Sequence, residues 1–381
     1  MKGNFFMKGK TNVIVVNGGG SGGSIPPVTN LAVDNNYILS WVAPDLSSFE
    51  GTGSYLVKIN GTVVDEVTTT SINIGGYLQA GNNTITVTVK LTSDDDTEIV
   101  YYLSEPTITT LSITLPQAVN QTNCEIVGTN AYILGTQVSS TFTTNIYKFD
   151  LISETFTLLQ TALPSSDRQR GSCAVGTNIY LFGGLSNGTV IYKFDTTTET
   201  VTTLQTTLIA SSRMMGVASY GTNIYLFGGF GTTQKIYKFD TTNETITEIG
   251  TTLPISVTSC TTATIGNLIY LFGGTNLTTI LKFNATTEAI STLSTTLPQN
   301  KESMGASVYG TNVYLFGGGT TSSGSTSATK TIYKFDSSNE TITTLSIEMA
   351  NAKNNTYTAK HNNDTYIFGG YNALDISKFT V

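Results

Sequence analysis

The stretch Gly176-Thr-Asn-Ile-Tyr-Leu-Phe-Gly-Gly184 is the strongest indication of the fold, because variants of it recur along the whole C-terminal part of the chain. The six starts of this motif are 48, 45, 45, 44 and 52 residues apart. A period of this length is the sequence signature of an architecture built from repeated units. Besides Gly176, copies start at Gly128, Gly221, Gly266, Gly310 and Asn362.

Each repeat contains four short runs that are typical of β-strands, and in the third repeat they span about 216–220, 224–228, 236–240 and 245–249. The second run, Ile-Tyr-Leu-Phe, is apolar at odd and even positions alike, so a strand formed there must be covered on both faces. Blades that stack face to face around an axis provide such cover. The sequence therefore predicts an all-β fold with a six-bladed β-propeller over residues 105–381.

The last repeat lacks its fourth run, because the sequence stops at Phe379-Thr380-Val381, directly after the third run. A matching segment precedes the first repeat, since Glu105–Pro116 resembles Glu288–Pro298 of the fourth. We expect the strand near residues 107–111 to pair with 376–380. This N-terminal strand would close the ring and hide two sheet edges.

The repeats resemble the kelch repeat in their Gly-Gly pair, their later tyrosine and an apolar residue before Leu-x-x-Leu-Pro. The tryptophan typical of the fourth kelch strand is absent, which indicates a divergent branch. The resemblance implies that ligands bind the face built from the loops that join strand four to the next blade and strand two to strand three. The apolar residues in place of tryptophan are Ile108, Phe156, Val201, Ile246, Ile290 and Ile342.

Residues 26–104 predict a second module, because short apolar runs alternate there with turn signals such as Asn60-Gly61. Val28-Thr-Asn-Leu and Leu39-Ser-Trp41-Val-Ala-Pro44 resemble the start of a fibronectin type III domain, which implies a β-sandwich with Trp41 in its core. The tyrosine usual on its sixth strand is replaced by Ile85. Residues 17–25 form a Gly/Ser-rich linker, and residues 1–16 form a short attachment peptide.

Composition excludes several classes of function. The net charge is −7 and no basic stripe is present, which argues against general binding of nucleic acid or of anionic membranes. His361 is the only histidine and the three cysteines form no CxxC pair, so we expect no metal, no cofactor and no catalytic residues. The longest apolar run near the N-terminus, Val13–Val16, is too short for an export signal or membrane insertion.

The kelch resemblance selects five cations just before the inner strands as candidate ligand-binding residues: Arg168, Arg170, Arg213, Lys301 and Lys353. A ring of such groups binds carboxylates or phosphates, and arginine does so bidentately. The alternative is a set of solvated loop cations with local hydrogen bonds.

Aromatic residues fall in the neighbouring loops of the same face, namely Phe142, Phe230 and Tyr371, together with the insertion Gly319–Lys330. Aromatic rings beside Asn and Thr suit the apolar face and hydroxyl edges of a sugar. Single exposed aromatics are equally normal on protein surfaces. Two other groups of residues give little indication of function. We expect Asp94-Asp95-Asp96 to form a solvated hairpin tip, and Cys124, Cys173 and Cys260 to occupy buried positions on inner strands.

Modules of extracellular type without an export signal favour a virion protein, assembled in the host cytoplasm and released by lysis. We therefore expect a non-catalytic binding protein of a phage tail, baseplate or head. Its N-terminal peptide would bind a virion partner protein and its propeller a host cell-surface polysaccharide. A bacterial surface adhesin, located outside the cell or on its surface, or an intracellular protein-interaction scaffold is the alternative. A carbohydrate-active enzyme is less favoured, because the copper-radical type of kelch oxidase needs several histidines.

Overall fold

The computed structural model describes residues 29–33, 38–42, 54–59, 62–68, 71–73, 83–90, 97–103 and 106–381, the last range with gaps at 139–140, 321–326 and 371–372. These residues fall into two compact units that divide between Thr107 and Ile108. No α-helix occurs in the described residues. In this part of the chain, accordingly, no helix is long and apolar enough to cross a membrane.

The N-terminal unit consists of two antiparallel sheets. One has three strands in the order β1-β2-β5, and the other has four in the order β4-β3-β6-β7. The fibronectin type III-like sandwich stays a prediction. The attachment peptide, the linker and Asp94–Asp96 lie outside the described residues. The strands are β1 (Thr29–Val33), β2 (Ile38–Val42), β3 (Ser54–Ile59), β4 (Thr62–Val67), β5 (Ser71–Asn73), β6 (Asn83–Lys90) and β7 (Thr97–Leu103).

The C-terminal unit contains six four-stranded antiparallel sheets, which are the predicted blades. Blade one contains β9 (Asn123–Val127), β10 (Asn130–Leu134), β13 (Asn145–Asp150) and β14 (Thr155–Ala162), with the small hairpin β11 (Gln137–Val138) and β12 (Thr141–Phe142) beside it. Blade two contains β15 (Gly171–Val175), β16 (Asn178–Phe182), β17 (Ile191–Asp195) and β18 (Thr200–Thr203). Blade three contains β19 (Gly216–Tyr220), β20 (Asn223–Phe227), β21 (Ile236–Asp240) and β22 (Thr245–Glu248).

The remaining blades follow the same plan. Blade four contains β23 (Thr261–Ile265), β24 (Leu268–Phe272), β25 (Thr279–Asn284) and β26 (Ala289–Thr296). Blade five contains β27 (Gly305–Tyr309), β28 (Asn312–Phe316), β29 (Ile332–Asp336) and β30 (Thr341–Thr344). Blade six contains β31 (Thr356–His361), β32 (Asp364–Gly369), β33 (Asp375–Thr380) and β8 (Thr107–Thr114).

The ring closes as the sequence predicts. The N-terminal strand β8 is the outer strand of blade six and pairs with β33. Just beyond it, the Leu115 amide donates to the Leu374 carbonyl at 2.8 Å. The six inner strands contact one another in cyclic order, and β31 contacts β9 to complete the circle. No edge of blade six is therefore left open by the missing fourth run.

The core lies between the blades. The second strand of each blade is buried on both faces, as Ile224, Tyr225, Leu226 and Phe227 of β20 show. A tyrosine of each second strand packs against a phenylalanine on the third strand of the next blade, with ring centroids 4.9–5.4 Å apart. These six pairs are Tyr132–Phe194, Tyr180–Phe239, Tyr225–Phe283, Tyr270–Phe335, Tyr314–Phe379 and Tyr366–Phe149.

Ion pairs join neighbouring blades near the turns between third and fourth strands, on what we call the lower face. Lys193 of β17 binds Glu244 of blade three at 2.8 Å, and equivalent pairs recur around the ring. The glutamates adopt left-handed backbone conformations, such as φ 52° at Glu244. The repeated Lys and Glu thus have a structural role at the lower face. The other pairs are Lys148–Glu199, Lys238–Glu288, Lys282–Glu340 and Lys378–Glu154.

Candidate binding face

The opposite, upper face carries the loops that enter each blade and those that join second and third strands. At its centre, six residues with left-handed backbones surround the mouth of the central channel, where non-glycine residues with positive φ are uncommon. Main-chain hydrogen bonds connect neighbours around this mouth; the Ser259 amide, for example, donates to the Met214 carbonyl at 2.8 Å. The six are Gln121, Gln169, Met214, Ser259, Ser303 and Asn355, with φ between 47° and 61°.

Two of the five predicted cations, Arg170 and Lys353, are buried and hold the loops together. Arg170 is 6% exposed and donates to the Asp167 carbonyl at 2.9 Å and to Ser165 Oγ at 2.6 Å. Lys353 is fully buried, and its Nζ lies 2.9 Å from both the carbonyl oxygen and Oδ2 of Asp375. Burial with internal partners leaves these two groups no surface on which to meet a ligand.

Lys301 is also fully buried, and its ammonium bonds the hydroxyl of Thr329. No carboxylate among the described residues pairs with it. Burial alone lowers the pKa of Lys301 to about 8. The five cations therefore do not form one exposed ring: Arg170, Lys301 and Lys353 are buried rather than solvated, and each makes local hydrogen bonds.

Arg168 and Arg213 are different, because each is partly exposed and stacks on a predicted aromatic residue. The guanidinium carbon of Arg168 lies 4.8 Å from the ring centroid of Phe142, and that of Arg213 lies 4.1 Å from the centroid of Phe230. The main chains of Arg213 and Phe230 are also bonded, with the Phe230 amide donating at 2.8 Å. Two groups of residues that the sequence predicts separately thus meet as two Arg–Phe pairs.

Neither guanidinium of these pairs has an ion-pair or hydrogen-bond partner among the described residues. Nε of Arg213 is buried and unpartnered. Phe230 is 57% exposed, so the pair lies at the surface of blade three. Stacking fixes the plane of each guanidinium, and its terminal Nη groups make no hydrogen bond within the described residues, which is an arrangement that suits a bidentate acid group.

A cleft of about 330 Å³ lies beside the Arg168–Phe142 pair. Hydroxyl and amide side chains line it, together with the partly exposed Leu185. Asp167 at its base accepts hydrogen bonds from the main-chain amides of Ser186 and Asn187 at 2.9–3.0 Å, so its charge is engaged inside the protein. The cleft thus combines an apolar wall, hydroxyl groups and one available cation.

The rest of the upper face offers no such available cation among the five predicted ones. Glu302 lies three residues before its inner strand, as Arg168 and Arg213 do, but it is 5% exposed. Burial raises the pKa of Glu302, and its Oε2 accepts from the Thr275 hydroxyl at 2.6 Å. Tyr371 and residues 321–326 of the predicted insertion lie outside the described residues. Of the five predicted cations, the available ones are therefore confined to blades two and three.

The three thiols have little capacity for chemistry at neutral pH. Burial raises the pKa of Cys173 and Cys260 to about 12, and it also raises the pKa of Cys124. A thiol reacts as its thiolate, so these thiols are inert near pH 7. Among the residues that the structure describes, no group of three His, Cys, Asp or Glu side chains is arranged to hold a metal ion.

Comparison with known proteins agrees with this architecture. The family model described as the KLHDC2/KLHL20/DRC7 Kelch-repeats domain matches residues 121–284, from just before β9 to the end of β25. The chain contains a Kelch-repeat domain. No curated protein matches the sequence. Kelch propellers are typically binding scaffolds rather than enzymes.

Two features of the Kelch domain were missed by sequence reasoning. The lower-face ion pairs had a signal, because the Lys of Ile-Tyr-Lys-Phe-Asp and a later Glu recur together. The six residues with left-handed backbones at the channel mouth gave no signal in the sequence, since members such as Gln121, Met214 and Ser259 share no side-chain chemistry. Their regularity is visible only in the backbone.

Proposed function

We propose that this protein is a non-catalytic, virion-associated binding protein that presents the upper face of its Kelch domain to an acidic glycopolymer on a host cell surface. The observation that carries the binding proposal is the pair of stacked arginines, Arg168 and Arg213, with no acid among the described residues to neutralise them. The chain contains three arginines in all, and they all lie in loops of this face.

The neighbourhood supports a glycan as the source of the acid group. A pyranose offers an apolar face to Phe142 and Leu185, and hydroxyl edges to the serine and asparagine side chains of the cleft. Carboxylates or phosphates on the same polymer would accept hydrogen bonds from Arg168 and Arg213. Charge-assisted contacts of this kind are worth roughly 1.5–3 kcal/mol where water is excluded, and less at an exposed surface.

The binding proposal is tested with carboxylated, phosphorylated and neutral oligosaccharides and the double variant R168A/R213A. We expect the acidic members to bind and the double variant to weaken that binding at least tenfold, with an effect that shrinks as salt rises. Arg170 is left unchanged because it ties its own loop together. The matched control K148A/K193A removes the same charge from the lower face and should bind as the unmodified protein does.

Two results would contradict the role of the arginine pairs. One is unchanged binding by R168A/R213A. The other is loss of binding on trimming residues 319–330 while the arginine change has no effect, which would assign recognition to that loop. Equal binding of neutral and acidic oligosaccharides would contradict the acidic nature of the ligand.

The virion location rests on the order of the segments, in which a short peptide and a glycine linker precede the two modules. Deleting residues 1–16 should remove the protein from purified particles without changing its affinity for oligosaccharides, because the linker uncouples the peptide from the rest. Particles that retain the truncated protein, or that never contain the full chain, would refute this location and leave the binding proposal standing.

A protein-interaction scaffold is the second candidate, and the Kelch match favours it. Its ligand would be an acidic segment of another protein that binds the same two arginines. An acidic peptide that binds more tightly than every oligosaccharide, and that R168A/R213A releases, would favour this candidate over the glycan.

A further inference from the structure

The central channel contains a cavity of about 370 Å³ that is lined by residues at the start of all six inner strands. Serine, threonine, asparagine and glutamine make up 12 of its 25 lining residues. Such a lining matches a small ligand with several hydroxyl groups, because each polar group needs a hydrogen-bond partner inside a confined space.

Glu125 is the only carboxylic acid among the described residues that line this cavity. It lies opposite Tyr132 on β10, and at the corresponding positions of blades three and four stand Ala218 and Ala263, opposite Tyr225 and Tyr270. The repeat itself therefore has no need for a charged group here. One carboxylate oxygen of Glu125 accepts from the Ser172 hydroxyl at 2.6 Å.

No cation in the described lining of the cavity neutralises Glu125. Arg170 is the only basic residue there, and its guanidinium is bonded to the Asp167 carbonyl and to Ser165. A carboxylate in a confined site without a counter-ion favours a cationic ligand group, since opposite charges attract more strongly where water is scarce.

Two acceptors at the mouth lack partners among the described residues. Ser259 is 7% exposed, and its buried Oγ makes no hydrogen bond. Oε1 of Gln169 is likewise buried and unpartnered. Buried polar atoms are nearly always satisfied in folded proteins, so these two point to a ligand with donors at the channel mouth.

We infer that the channel binds a small polyhydroxylated amine, with its ammonium group at Glu125 and its donors at Ser259 and Gln169. This site goes beyond the proposed binding of acidic polymers, because it is lined by different residues and takes a group of opposite charge.

The site should depend on pH. Burial raises the pKa of Glu125 to about 7, so the carboxyl gains its charge as pH rises from 6 to 8. The other titratable side chains of the cavity are Cys124, Cys173, Cys260, Tyr357 and Arg170. Burial raises the pKa of all three thiols and of the phenol, so these groups stay neutral in this range, and arginine stays charged. Amine binding should therefore tighten with rising pH.

The test uses 2-aminoethyl glucoside and its N-acetylated counterpart, which share every hydroxyl and differ in charge. By titration calorimetry of the full chain we expect the amine to bind at least fivefold more tightly than the N-acetylated compound, and more tightly at pH 8 than at pH 6. E125Q should abolish this preference for the amine. S259A should weaken binding of the amine but leave the change of its affinity with pH as it is. R168A/R213A should bind the amine as the unmodified protein does.

The pH series needs no substitution, so it remains decisive even where E125Q disturbs folding, which thermal unfolding reports. Equal affinity for the two glucosides, no measurable binding of the amine, or binding that is independent of pH would each overturn the inference. Loss of amine binding in R168A/R213A would overturn the assignment to the channel.

Discussion

Lys301 offers a quantitative test of the packing of the upper face. It is fully buried with the Thr329 hydroxyl as its partner, four residues before an inner strand. At the same distance before β23 stands Val257, which is 1% exposed. The site is therefore apolar in blade four, and we expect Lys301→Met to stabilise the protein by removing a buried charge while keeping the length of the side chain.

The magnitude follows from the pKa. Burial lowers the pKa of Lys301 from 10.5 to about 8, and each unit corresponds to about 1.4 kcal/mol, so the charged lysine costs up to about 3 kcal/mol. Between the folded and unfolded pKa values the unfolded chain binds more protons, so this cost disappears as pH rises from 8 to 10.5. Thr329 still donates to the Gly317 carbonyl at 3.0 Å after the change.

The assay is calorimetric unfolding at pH 7 and pH 10, which records the unfolding of the propeller directly, whereas the single tryptophan, Trp41, belongs to the N-terminal unit. At pH 7 the propeller transition of K301M should lie higher by roughly 6–12 °C, and the gain should shrink at pH 10. The matched control K353M leaves Asp375 without its cation and should destabilise. A loss of stability in K301M equal to that in K353M, or a gain that does not change with pH, would contradict the cost assigned to the buried charge of Lys301.

Two further predictions concern the ring itself. Deleting residues 1–104 should leave a folded, soluble propeller. Deleting residues 1–115 also removes β8 and exposes the edge of β33, so this longer deletion should aggregate. Equal solubility and equal melting temperatures of the two truncated proteins would show that β8 is dispensable. The three cysteines should resist iodoacetamide at pH 8 in the native protein and react after unfolding, because the raised pKa of each thiol keeps it protonated, including that of the partly buried Cys260; rapid labelling of the native protein would contradict these raised pKa values.

The fold was predictable because its decisive features repeat. Ile224–Phe227 is apolar on both faces, and the segment Glu105–Pro116 matches the missing fourth run, so blade number and closure both follow from local pattern. The strands of the third blade lie within one residue of the predicted spans. The N-terminal unit has no repeat, so its fibronectin type III-like fold rests on two short motifs, near Val28 and Trp41, and it stays a prediction.

The candidate site was predictable only in part. The positions of Arg168 and Lys301 relative to the inner strands place both on the upper face, but Arg168 is partly exposed and Lys301 is fully buried. Glu302 has the same offset from its strand as Arg168 and is nevertheless buried, so the offset alone does not decide exposure. That difference depends on the path of the loop main chain, which the sequence does not encode in a readable pattern. Stacking of Phe230 on Arg213 likewise requires contact between two loops of one blade.

In the proposed binding mode, Arg168 and Arg213 contact the ligand and Arg170 does not. Because the chain has three arginines, a protein labelled with nitrogen-15 arginine gives at most three side-chain Nε–Hε signals, which R168A and R213A assign. On titration with an acidic oligosaccharide that binds, the signals of Arg168 and Arg213 should shift and that of Arg170 should stay in place. Shifts confined to Arg170, or none at all under saturating ligand, would contradict the account.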